Sequence, residues 1–200
     1  MNSRGYYEAA VAESGDWYTP KDYFEALALM FDLDPCSPGV GLCHVPAREI
    51  YTKADDGLTK PWHGRVFVNP DWKGRHTQVP WLRKFLAHGD GIMIVRAYTS
   101  AGWFHQYVPR AHGILFPRGK TKFVRPNGAI GDAPAHGVAL LSMGQICTEA
   151  LRQSGLGWFI EIENGNGRAL DRTYRGPAII NPVSINQPAA RMPWANGGAP

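Results

Sequence analysis

The sequence predicts an α/β domain, with helices and strands alternating around a mixed, mostly parallel sheet. Three observations carry this expectation. Apolar residues recur at helical spacing in several segments, short β-branched or aromatic runs stand between them, and polar motifs with Pro or Gly follow those runs directly. In chain order, Thr19 is placed to cap a helix, Pro20 suits its first position, and Phe24, Leu27, Ala28 and Phe31 share one face. A short strand ending at Pro35 and a loop over Ser37 to Gly41 come next. Glu49 to Thr52 reads as a second short strand, Asp55-Asp56-Gly57 as an acidic turn, and Arg65 to Val68 as a strand ending at Asn69-Pro70. Trp81, Leu82, Phe85 and Leu86 suit a helix that Gly89 stops, before a buried strand at Ile92 to Val95. Thr99 or Ser100 is expected to cap a helix through Trp103, Phe104 and Tyr107, followed by a strand at Gly113 to Phe116. Lys120 to Val124 and Val138 to Met143 are expected to be antiparallel strands, with the Asn127-Gly128 turn between them. Cys147 to Gln153 reads as a last helix and Trp158 to Ile162 as a last strand.

Composition narrows the class without naming a function. The chain has 200 residues, 44% of them hydrophobic and 12% aromatic, enough to bury a core and unlike a disordered chain. No stretch approaches the roughly 20 apolar residues of a membrane span, and Met1 to Ala12 lacks the pattern of a signal peptide, so a cytoplasmic protein is expected. Cys36, Cys43 and Cys147 are too few and too scattered for a disulfide framework. A net charge of +4 suits a polyanionic partner. The organised pattern runs over residues 16–163, leaving an N-terminal extension at 1–15 and a Gly- and Pro-containing tail at 164–200 expected to be flexible.

Polar motifs at strand ends matter because open α/β sheets bind ligands at the carboxyl ends of their strands. Asp34-Pro35-Cys36, Asp55-Asp56-Gly57-Leu58 and Asn69-Pro70-Asp71-Trp72 sit at such places, and Trp17-Tyr18-Thr19-Pro20 precedes the first helix. Taken singly, each has an ordinary explanation: a helix cap, a strand exit, a solvated turn, an Asn-Pro turn. Cys36, Cys43 and His44 could be read as zinc ligands, but their spacing departs from that of structural sites. His63, Asn69 and His76 as a metal-nuclease set have no supporting spacing either. Trp81, Trp103 and Trp158 have apolar neighbours and read as core.

The order of these motifs resembles that of the phage-type DNA adenine methyltransferases, a Rossmann-like class I branch that uses S-adenosylmethionine. Trp17-Tyr18-Thr19-Pro20, Asp34-Pro35-Cys36, Asp56-Gly57-Leu58 with Trp62, and Val66-Phe67-Val68-Asn69-Pro70-Asp71-Trp72 carry the likeness, which extends over roughly Asp16 to Gly144. The resemblance implies methyl transfer to the N6 amine of adenine in DNA. It places Asn69, Pro70, Asp71 and Trp72 at the reacting centre, with Asn69 and Pro70 accepting the amine hydrogens and Trp72 stacking on an extruded base. It also implies cofactor contacts from Trp17, Thr19, Pro20, Asp34, Pro35, Cys36 and Asp56, with Thr19-Pro20 and Asp34 toward the methionyl end and Asp56 toward the adenine. Lys73, Arg75, His76, Arg118, Lys120 and Lys122 are the expected DNA contacts, with Arg83, Lys84 and Arg125 beside them. The family has a second proline where this chain has Asp71, which frees a torsion and adds a carboxylate, so a binding module with impaired catalysis is the competing expectation. Only 35 residues separate Asp34 from Asn69, so one or two crossovers should be truncated.

Overall fold

The first turn of the chain is decided at Ala28, whose left-handed backbone (φ 49°) ends helix α1 (Lys21–Leu27) and releases the chain into strand β1 (Phe31–Asp34). The computed structural model describes residues 17–71, 77–125, 127–131 and 136–162, so the extension at 1–15 and the tail at 164–200 lie outside the described residues. Helix α1 is shorter than its apolar spacing predicts. Phe31 belongs to the sheet, although its ring still packs against Phe24 of α1 at 6.5 Å. Thr19 is not a cap: Pro20 occupies the N-cap position and no side chain caps the helix.

Strands β2 (Ala47–Ile50), β3 (Val66–Val68) and β4 (Gly91–Arg96) follow, then β5 (Gly113–Pro117), β6 (Val138–Met143) and β7 (Gly157–Glu161). They form one seven-stranded sheet in the order β2-β1-β3-β4-β6-β5-β7. Strands β2, β1, β3 and β4 are mutually parallel. The pairings β4–β6, β6–β5 and β5–β7 are antiparallel, so the sheet is mixed: parallel over its first four strands and antiparallel in its later pairings. Helix α2 (Gln78–His88) crosses between β3 and β4, α3 (Gly102–Tyr107) lies between β4 and β5, and α4 (Gln145–Gln153) lies between β6 and β7. The crossovers at 35–46 and 51–65 contain no helix, which is the truncation the short Asp34-to-Asn69 spacing requires.

Side-chain alternation sorts the core into two layers. Val66 and Val68, with Met93 and Val95, join Leu82 and Phe85 of α2 and Trp103 and Phe104 of α3. Phe67, Ile92 and Ile94 point the other way, toward Phe24 and Leu27 of α1 and Cys147 and Leu151 of α4. All six residues of β4 are buried because both of its faces are covered, which explains its unbroken apolar run. The antiparallel pairing expected between Lys120–Val124 and Val138–Met143 does not form. β6, fully buried, takes a central position between β4 and β5, whereas Val124 makes isolated bridges to Tyr18 and Ile130 around the Asn127-Gly128 turn. The reason is amphipathicity: Thr121 and Phe123 are buried while Lys120 and Lys122 are exposed, a pattern for the surface rather than the sheet centre. Trp103 is core as expected, but Trp158 on the outer strand β7 is 69% exposed.

Gly91 opens β4 where it meets β3. Its φ is 149°, and a Cβ there would stand 2.3 Å from the Val66 carbonyl oxygen, so only glycine allows β3 and β4 to approach. Gly91→Ala is expected to lower stability by about 3 kcal/mol, read as a shift in the urea unfolding midpoint.

Candidate functional site

Strand order places a crevice between β1 and β3. From β1 the chain moves outward to β2, then returns to the other side of β1 as β3, so the segments after β1 and β3 leave in opposite directions. Ligands of open α/β sheets bind at such switch points, outside the carboxyl ends of the strands. A cavity of about 350 Å³ lies there, within the size range of small-molecule sites.

The sequence-derived candidates converge on this cavity. Trp17, Thr19, Asp34, Pro35, Cys36, Asp56, Asn69, Pro70 and Asp71 all line it. Pro20 does not; it lines a second groove. Trp72, Lys73, Arg75 and His76 lie outside the described residues.

Asn69 is held by its amide nitrogen. Nδ2 donates to the Trp17 carbonyl at 2.8 Å and to Thr19 Oγ1 at 3.2 Å. A carbonyl can only accept, so the nitrogen must face Trp17, and Oδ1 is left as an acceptor on a residue that lines the cavity. Thr19, only 2% exposed, thus serves Asn69 instead of capping α1. Trp17 is itself seated closely: a Cβ on Gly131 would fall 2.3 Å from its ring, and Arg125 stands over that ring at 6.0 Å. The bridge between Tyr18 and Val124 ties this segment to the basic 118–125 stretch.

The end of β1 supplies a buried acid. Asp34 is 3% exposed, and burial pushes its carboxyl up to about 7 against the pull of the Cys36 N–H, which donates to Oδ1 at 3.1 Å. Burial, then the charge of Asp34, pushes the Cys36 thiol well up, so it is no nucleophile at neutral pH. The Asp55-Asp56-Gly57 turn divides its work. Asp55 accepts from Thr52 N–H, Thr52 Oγ1 and Lys60 Nζ, each at 2.8 Å, and the Lys60 hydrogen bond above all holds its carboxyl well below the usual range. Asp56 is exposed at the cavity with a left-handed backbone, φ 53°. Gly57 is needed for close packing: a Cβ would lie 1.9 Å from the Pro35 carbonyl oxygen, so the turn and the β1 exit could not meet.

Several residues that line the cavity are not among the sequence-derived site candidates. Ser37, Cys43, Val45, Thr52, Lys53 and Trp81 also line the cavity. Ser37 could have been found from its place just after Asp34-Pro35, whereas Cys43 and Val45 arrive through a loop without periodicity. Trp81 is correspondingly not plain core: it stacks on Trp62 at 6.1 Å and reaches the cavity. Trp62 anchors the turn by donating Nε1–H to the Gly57 carbonyl at 2.7 Å. Lys84 is committed as well. Its Nζ donates to the carbonyls of Gly57, Leu58 and Lys60 and stands over Trp62, so it braces the turn and does not reach out to a phosphate.

Arg118, Lys120 and Lys122 are exposed and line the second groove with Lys21 and His44. The metal readings do not assemble. Cys36 and Cys43 face the first cavity while His44 faces the second, His63 pairs with Glu49 at 3.4 Å, and among the described residues no group of three or more His, Cys, Asp or Glu side chains could hold a metal. Among the described residues, no helix is long and apolar enough to cross a membrane.

A buried carboxylate whose folded pKa is raised gives stability that is complete below its unfolded value, near 3.8, and is lost as the pH climbs through about 7. Asp34→Asn removes that loss, so in urea melts the variant should gain on the wild type between about pH 4 and pH 7; an unchanged difference would show that Asp34 ionises normally. No protein-family model, curated protein or solved structure matches the chain.

Proposed function

We propose that the protein transfers a methyl group from S-adenosylmethionine to the N6 amine of adenine in DNA, on a truncated fold of the Rossmann-like class I methyltransferase type. The observation that carries this reading is the Asn69 side chain: Trp17 and Thr19 engage its amide nitrogen, which leaves Oδ1 as an acceptor on a residue that lines the same cavity as Asp34 and Asp56. An amine delocalised into a ring becomes nucleophilic when its hydrogens are held by acceptors that favour tetrahedral nitrogen. Asn69 Oδ1 supplies one such acceptor, and Pro70, next along the cavity wall, offers its carbonyl as the other.

The lining suits this cofactor by charge and shape. Asp34, Asp56 and Asp71 outnumber Lys53, which favours a ligand bearing positive charge, and Trp17, Tyr18 and Trp81 offer aromatic faces for an adenine. When bound, S-adenosylmethionine supplies an electrophilic methyl on a positive sulfonium. Asp34 helps hold such a cation only when ionised, Lys53 suits the ligand's carboxylate, and Asn69 holds the acceptor amine in line. Arg118, Lys120 and Lys122 provide exposed positive charge for the DNA backbone. The position of Asp71 favours one competing reading, a catalytically impaired DNA- or partner-binding module of the same fold.

Nucleoside mass spectrometry after incubation with S-adenosylmethionine and unmethylated DNA separates the two. N6-methyladenine is expected, with at least about a hundredfold loss of rate in Asn69→Ala; an unchanged nucleoside profile over several DNA sequences would favour the module. Cofactor affinity, measured by calorimetry, should rise with pH up to about 7 as Asp34 ionises, and Asp34→Asn should flatten that profile. Alanine at Arg118, Lys120 and Lys122 together should weaken DNA binding at every sequence. The slope of log affinity against log salt should fall by roughly 1 for each phosphate that is no longer neutralised.

A further inference from the structure

The turn that carries Asp56 is held more firmly than an acidic surface loop requires. Asp56 has φ 53°, a left-handed conformation that non-glycine residues rarely keep unless their surroundings impose it, and that clusters at binding sites. Its surroundings do impose it. Just before it, the Asp55 carboxylate accepts from Thr52 N–H, Thr52 Oγ1 and Lys60 Nζ. The Asp56 carbonyl accepts from the N–H and the Oγ1 of Thr59, each at 2.9 Å. The next peptide plane is fixed as well, because the Gly57 carbonyl accepts from both Trp62 Nε1, at 2.7 Å, and Lys84 Nζ, at 3.0 Å.

Lys84 reaches this turn from helix α2. Its ammonium also donates to the carbonyls of Leu58, at 2.8 Å, and Lys60, so all three of its N–H bonds are spent on one turn, and it stands 4.9 Å from the centre of the Trp62 ring. Carbonyls that converge on one point repel each other unless a cation lies among them, and rings of backbone carbonyls are a natural seat for a monovalent cation. Here the cation is part of the chain. Gly57, packed so closely on the Pro35 carbonyl that no Cβ would fit, passes the restraint on to the exit of β1, where Asp34 stands.

Resting on the methyl-transfer reading for the identity of the ligand, we infer that Lys84 is a positioning residue: its ammonium is a built-in cation that gathers the carbonyls of Gly57, Leu58 and Lys60 and thereby fixes Asp56 on the cavity wall for contact with S-adenosylmethionine. A lysine that only stabilised the fold would weaken ligand binding whatever residue stood at position 56. A lysine that acts through Asp56 matters only while Asp56 is there.

Hydrogen exchange followed by NMR reads the brace without any ligand. In Lys84→Ala and in Lys84→Met, which keeps the aliphatic stem beside Trp62, the Thr59 amide should exchange at least about tenfold faster while the amides of β4 keep their rates. An unchanged Thr59 rate would overturn the inference. Ammonium chloride should restore part of the protection in Lys84→Ala, beyond what sodium chloride does at the same ionic strength; no difference between the two salts would rule out the built-in cation. In calorimetry, Lys84→Met should weaken S-adenosylmethionine binding at least about tenfold in the wild-type background and less than about twofold in Asp56→Ala. Equal losses in both backgrounds would show that Lys84 does not act through Asp56 and would end the proposal. A wild type that binds no S-adenosylmethionine, with Thr59 exchange still accelerated in Lys84→Met, would sink the methyl-transfer reading and leave the brace standing.

Discussion

The pairing of β1 with β3 is the constraint on which everything else in the molecule rests. Because β2 lies on one side of β1 and β3 on the other, the two exits diverge and leave a crevice between them. Asp34-Pro35-Cys36 and Asn69-Pro70-Asp71 therefore face one another across a cavity, though far apart in sequence. Two glycines make the close approach possible: Gly91 lets β4 meet β3, and Gly57 lets the acidic turn lie against Pro35. Replacing helical crossovers by loops removes buried apolar surface from one edge of the sheet. The turn braced by Trp62 and Lys84 supplies hydrogen bonds and aromatic packing there instead.

The cavity combines rigid polar groups with weakly solvated charge. Asn69 is useful because its donor end is already committed to Trp17 and Thr19, so its acceptor end needs no reorganisation to meet a ligand. Asp34 is the opposite case. Buried against the Cys36 N–H, with no salt-bridge partner among the described residues, its carboxyl is pushed up to about 7, so a protonated fraction persists near neutrality and an opposite charge would favour its ionisation. A cationic ligand would thus gain attraction and release a proton in one step.

Local pattern and tertiary placement diverge where a residue can satisfy two different partners. Thr19 before Pro20 satisfies every local rule for a helix cap, yet its hydroxyl accepts from Asn69, 50 residues away in sequence. Lys84 reads as surface charge next to a basic run, but α2 turns it onto three carbonyls of the 57–60 turn. Lys120–Val124 and Val138–Met143 both resemble strands; burial on both faces drew the second into the centre of the sheet and left the alternating first segment outside it. Trp158 has apolar neighbours in sequence but sits on the outermost strand, where among the described residues one side of the sheet has no further partner.

The elements, and the residues that would cluster, were legible in the amino-acid order, because periodicity, strand-ending Pro and Gly, and polar residues after strands are local properties of a chain. β1, β3, β4, α2 and β6 stand within a few residues of where their patterns put them, and nine of the named site residues line one cavity. Which strands became neighbours, and which way each polar side chain faced, was settled by long-range packing. Strand order depends on the paths of the loops and on burial of both sheet faces, and the direction of Asn69's oxygen depends on a carbonyl at Trp17 that no local pattern could bring to it.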